Sequence, residues 1–101
     1  MKVRIKICCI SDIDEAWMAI RAGASALGLV SAMPSGPGVI PDERIAEIAT
    51  QLPPGVSSFL LTSRQEAADI ITQQHYCRTN TLQLVDKVED GAYVAMASAL
   101  P

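Results

Sequence analysis

The sequence predicts an α/β fold in which short parallel strands alternate with covering helices, and three observations carry that expectation. Apolar runs of strand length occur four times, and each is followed by a segment whose apolar residues recur at helical spacing. Glycine and proline punctuate the changeovers. Half of the 101 residues are hydrophobic but only 4% are aromatic, so the core is aliphatic, which suits parallel strands buried beneath helices. No low-complexity linker interrupts the pattern, and residues 1–101 read as one domain of four βα units.

The first unit opens with a β-rich run from Val3 to Cys8. Ser11 then starts a helix, with Asp14 three residues on in a capping-box arrangement and Asp12 in the first turn. Ile13, Ala16, Trp17 and Ile20 form its buried stripe, and Gly23 ends it. The second strand is the continuous apolar run Ala26 to Val30. A long connection follows from Ser31 to Ile40, with Pro41 in the first turn of a helix that buries Ile45, Ile48, Ala49 and Leu52. Pro53-Pro54-Gly55 stops that helix.

Val56 to Leu61 is the third strand. Ser63 and Glu66 form a second capping box, and Ala67, Ile70 and Ile71 carry the helix towards Gln74. A polar link from His75 to Asn80 leads to the fourth strand, Thr81 to Val85. The last helix is expected from about Glu89 to Leu100, with Tyr93, Met96 and Leu100 on one face.

Composition excludes several functions. A net charge of −3 leaves no electrostatic footprint for nucleic acid. No apolar stretch reaches the ~18–20 residues that cross a bilayer, and the start of the chain lacks a signal-peptide pattern. A soluble, cytoplasmic protein is expected. The three cysteines, two of them adjacent, do not make a disulfide framework. His75 and Cys77 lack the second ligand pair of a metal site, so neither metal nor cofactor is expected.

One cysteine stands out. Lys6-Ile7-Cys8-Cys9-Ile10-Ser11 delivers a thiol to the carboxyl end of a strand, where parallel α/β folds place their chemistry. Cys8 there is a candidate proton-transfer group or nucleophile, whereas Cys9 reads as packing between strand and helix. The connection containing Ser35-Gly36-Pro37-Gly38 exceeds the usual 2–6 residues of a βα loop and reads as a substrate loop. Its glycines allow backbone N–H groups to approach an anion. Asp86, just past the fourth strand, faces the same mouth.

Two architectures share this signature, an open doubly wound sheet and a (β/α)8 barrel, and the barrel needs eight units in about 250 residues. The motifs decide between them. Lys6-Ile7-Cys8-Cys9-Ile10-Ser11, then Ala22-Gly23-Ala24 with Ala26-Leu27-Gly28-Leu29-Val30, resembles the signature of phosphoribosylanthranilate isomerases, K-I-C-G-I-T followed by A-G-A-D-A-L-G-F-V. The helix from Pro41 to Ile48 and Leu82-Gln83-Leu84, similar to the family's V-Q-L-H-G, continue the match in order. The resemblance implies the N-terminal half of a (β/α)8 TIM barrel.

It also implies an Amadori rearrangement, in which a phosphoribosyl-amine aldose becomes a ketose. Cys8 matches the family's general base, and Gln83 joins Ser35, Gly36, Gly38 and Asp86 as candidate substrate contacts. The family's acid, an aspartate, and its phosphate-binding loops belong to the barrel's second half. Three departures are visible. Cys9 replaces the motif glycine, Pro37 falls where the family has a substrate-binding arginine, and Val85 falls where it has a histidine.

Two functions remain in view. One is half of an isomerase that acts on a phosphorylated sugar and needs a C-terminal half. The other is a non-catalytic half-barrel, excised or engineered, that pairs as a homodimer through its open edges. A small binding module for an anionic ligand is a weaker third.

Overall fold

The computed structural model describes residues 3–100. Four strands and four helices alternate: β1 Lys6–Ile7, α1 Ile13–Arg21, β2 Ala26–Val30, α2 Asp42–Gln51, β3 Ser57–Thr62, α3 Ala67–Cys77, β4 Thr81–Leu84 and α4 Ala92–Ala99. The strands lie in sequence order β1-β2-β3-β4, and every adjacent pair is parallel. Each crossover therefore returns to the neighbouring position, which is barrel winding rather than the reversed order of a doubly wound sheet.

The two faces of the sheet differ. Leu27, Leu29 and Leu60 point to the helices and are fully buried with Ala16, Ile45, Ile48 and Cys77. A smaller cluster of Ile70, Val88, Ala92 and Met96 seats α4 on α3. On the other face the register aligns Lys6 with Ala26, Gly28 with Phe59, and Leu61 with Gln83. Side chains on alternate strands would stand roughly 10 Å apart on a flat sheet. Here the Lys6 ammonium lies 4.5 Å from the Phe59 ring centroid, across β2, and also donates to Gln83 Oε1 on β4. The sheet is therefore curled towards this face. Lys6 with Phe59 and Cys8 with Leu61 stack as the alternate-strand layers of a (β/α)8 barrel wall.

Several local expectations shift. β1 is shorter than Val3–Cys8, since an edge strand pairs on one side only; Ile5 still accepts from Ser25 and Ala26 through its carbonyl. Asp12, not Ser11, caps α1. Its Oδ1 accepts from the Glu15 N–H at 2.7 Å, while the Glu15 carboxylate reaches back to the Ser11 N–H and hydroxyl. The capping box is thus Asp12–Glu15, one residue later than expected. Pro41 is the N-cap of α2 rather than part of its first turn. The box at Ser63 and Glu66 does not form, because Ser63 Oγ donates to the Ala32 carbonyl and Glu66 itself is the cap.

α3 runs past Gln74 to Cys77, placing His75 inside it, and ends where Arg78 takes a left-handed conformation at φ 60°. Asn80 does not idle in a linker: its side chain accepts from the Ser58 N–H, and its own N–H donates to Ser58 Oγ. α4 starts at Ala92, with Gly91 in the left-handed region before it. Ala92 and Met96 are its buried residues, and Tyr93, a step round the helix, is exposed.

Candidate active site

Cys8 lies one residue beyond β1, on the inner face and at the carboxyl end of the sheet. Its thiol is exposed to solvent. What lets it sit there is Gly28 on β2: a Cβ at that position would lie 2.8 Å from Cys8 Sγ, 3.2 Å from Cys8 Cα and 3.3 Å from Leu61 Cδ1. Glycine inside a strand here marks a close approach. The Cys8 thiol and Leu61 converge over it, leaving Sγ facing the interior of the curve.

The connection between β2 and α2 returns over the strand ends. Val39 bridges to Val30, and the Ile40 N–H donates to the Val30 carbonyl at 2.9 Å. Ser31 Oγ donates to the Leu61 carbonyl at 2.8 Å, tying the root of this loop to β3. Gly36 and Gly38 both have positive φ, at 114° and 82°, so the turns they make require glycine. Ser35 and Asp86 do meet. With Met33, Pro34, Ser63 and Val85 they line a hollow of about 350 Å³ at the mouth. Asp86 is exposed, and its Oδ1 accepts from the Lys87 N–H. Gln83 lies apart from that hollow, committed to Lys6 on the inner face.

Cys9 does not fill the strand–helix interface as its place in the sequence suggests. It takes φ 62°, in the left-handed region, and turns its side chain onto the β2–α2 loop.

Three features escaped the sequence reading. Lys6 is an inward-facing cation one layer below Cys8, and strand alternation from Cys8 would have found it. Gly28 was visible as a glycine within a strand. The third is a polar cluster between α2 and α3. Asp42 at the start of α2 accepts from Gln73 Nε2 at 3.1 Å and pairs with Arg64 at 3.5 Å. Cys77 packs against it, and burial, reinforced by the Asp42 carboxylate, pushes its thiol up to about 12. Gln73 Oε1 is buried without a partner.

No family model matches the chain. Among curated relatives, N-(5'-phosphoribosyl)anthranilate isomerase of Acidithiobacillus ferrooxidans is 40% identical over 81 residues, covering 80% of this chain and 39% of that protein. The enzyme of the same name from a Nitratiruptor species is 34% identical over 100 residues, 98% of this chain and 50% of its own length. The solved phosphoribosyl anthranilate isomerase of Thermotoga maritima superposes with a TM-score of 0.85 at 27% identity, over 98% of this chain and 48% of that one. In sequence and in fold the chain is similar to the phosphoribosylanthranilate isomerases. It spans about half the length, or less, of the relatives it matches. A further solved member, with a TM-score of 0.84 at 28% identity, holds reduced 1-(o-carboxyphenylamino)-1-deoxyribulose 5-phosphate. The strand order and the curled sheet thus match about half of a phosphoribosylanthranilate isomerase barrel. No helix among the described residues is long and apolar enough to cross a membrane.

Proposed function

We propose that this chain supplies the N-terminal half of an isomerase site that converts a phosphoribosyl-amine aldose into the corresponding ketose, with Cys8 as the general base. The reaction needs an acid to protonate the ribose ring oxygen as the ring opens, and a base to remove the C2 proton. Removing that proton turns the resulting imine into an enamine, which tautomerises to the ketose. The observation that carries this reading is the placement of Cys8 Sγ on the inner face, over Gly28, at the carboxyl end of the sheet.

The acid and the phosphate-binding loops come from a second (βα)4 unit, whether on the same polypeptide or on another. Residues 3–100 do not catalyse alone on this reading. The hollow lined by Met33, Pro34, Ser35, Ser63, Val85 and Asp86 contains no Lys or Arg. Pro37 and Val85 stand where the family resemblance calls for arginine and histidine. A charge-assisted contact to a carboxylate is worth about 1.5–3 kcal/mol, so an anthranilate carboxylate gains little here. A phosphoribosyl amine with an uncharged substituent fits this mouth better.

The test is turnover of phosphoribosylanthranilate, and of its carboxamide analogue, by the chain alone and mixed with a C-terminal half from a relative. Activity is expected only in the mixture, lost with Cys8→Ala, and greater on the carboxamide. Activity that survives Cys8→Ala refutes the assignment of the base.

A second reading has its own observation. β1 and β4 each leave one edge unpaired, and beside β1 a groove of about 450 Å³ is walled by Ile5, Ile7, Ile10, Met18 and Ala19. Unpaired edges beside apolar surface favour association. Two copies joined β4 to β1 would close an eight-stranded ring. Sedimentation equilibrium decides it: a monomer throughout the micromolar range excludes the homodimer.

A further inference from the structure

Cys9 breaks a backbone rule. A non-glycine residue at φ 62° carries a steric cost that glycine escapes. Its side chain rests on the β2–α2 loop, where a Cβ at Gly38 would lie 2.6 Å from Cys9 Cβ and 2.8 Å from its Sγ. The thiol donates to the Pro37 carbonyl at 3.6 Å. The two positions are reciprocal, since Cys9 occupies the space that glycine at 38 leaves free. Beyond this contact, the far end of the loop is held by the Val30–Val39 bridge and the Ile40–Val30 hydrogen bond. Ser35 and Gly36 lie before this contact, between the Ala32 carbonyl, which accepts from Ser63 Oγ, and Pro37.

We propose that Cys9 is a positioning residue. Its thiol clasps the Pro37–Gly38 turn and so holds the β2–α2 loop closed beside Cys8. The clasp links the end of the strand that presents the base to the loop that lines the substrate hollow. That functional consequence rests on the isomerase reading, whereas the clasp itself does not. A glycine at position 9 would adopt the same backbone without strain and would leave the loop unfastened.

Amide hydrogen exchange on the full chain, followed residue by residue by NMR, tests the clasp. Cys9→Ala keeps a Cβ at the strained position and removes only the thiol. It should speed exchange about tenfold at the Ile40 N–H, the loop amide beside the turn that donates to the Val30 carbonyl, leaving β3 and the body of α2 unchanged. The proposal fails if Cys9→Ala leaves the Ile40 amide within threefold of the parent. It also fails if the increase spreads evenly through β3 and α2. Because exchange needs no turnover, a failed clasp and a failed isomerase assignment are separate results.

Discussion

Gly28→Ala tests the geometry that places the candidate base. The added methyl would stand 2.8 Å from Cys8 Sγ, inside contact distance, and 3.2 Å from Cys8 Cα. Overpacking of this kind costs about 1–3 kcal/mol. Against that, replacing a glycine whose backbone alanine can adopt returns about 0.4–1 kcal/mol by restricting the unfolded chain. A net loss of about 1–2 kcal/mol is expected, read as a lower urea midpoint with an unchanged slope. In a Cys8→Ala background the nearest clashing atom is gone, and the same substitution should be close to neutral. The double-mutant cycle then shows a coupling of about 1 kcal/mol between positions 8 and 28. Additivity within about 0.3 kcal/mol would mean that the thiol does not lie over Gly28, and the inward placement of the base would fall with it.

Three further outcomes follow from particular contacts. Cys9→Gly should raise the urea midpoint by up to about 1 kcal/mol equivalent, because glycine adopts φ 62° without strain; a lower midpoint would show that the side-chain contacts outweigh the backbone cost. The Cys77 thiol titrates above its ordinary 9.0, near 12, because it is buried beside Asp42. The stability gained from keeping it neutral is whole below pH 9 and is lost as pH rises from 9 towards 12, by at most about 1.4 kcal/mol per pH unit. Urea titrations at pH 8 and 10.5 should show that loss, and Cys77→Ala should remove it. If copies associate through the β1 edge, Ile7→Glu should abolish the dimer in sedimentation while the far-ultraviolet circular dichroism stays unchanged.

The order of elements was legible because each signal is local. A continuous apolar run marks Ala26–Val30 as a buried parallel strand, the strand expected at Val56–Leu61 forms one residue later at Ser57–Thr62, and Pro53-Pro54-Gly55 closes α2. Boundaries failed where a tertiary partner outbid a local motif. Ser63 and Glu66 have capping-box spacing, but the Ala32 carbonyl on the neighbouring loop captures the serine hydroxyl. The link from His75 looks polar, yet Cys77 is fully buried under α2, so the helix continues to carry it inward. Curvature lay beyond any local reading, because it depends on Lys6, Phe59 and Gln83 meeting across strands distant in sequence.

The site divides along the same line. Cys8 and Asp86 were legible as residues at strand ends and Ser35 as part of a long loop, and Ser35 and Asp86 line one hollow at the mouth. Gln83 was named as a substrate contact, but the Lys6 ammonium already engages its amide oxygen. A substrate must therefore displace that bond or approach Gln83 through its amide nitrogen. Cys9 is the sharper case. In sequence it reads as a lost glycine, a departure that weakens the motif. In the fold it takes a left-handed backbone conformation that glycine adopts freely, and its thiol reaches the opposite loop. Persistence of a strained φ in a residue that need not adopt it implies that surrounding contacts over-determine it, and those contacts lie on the loop that borders the hollow. Cys9 therefore joins the turn behind Cys8 to the β2–α2 loop through a single side chain.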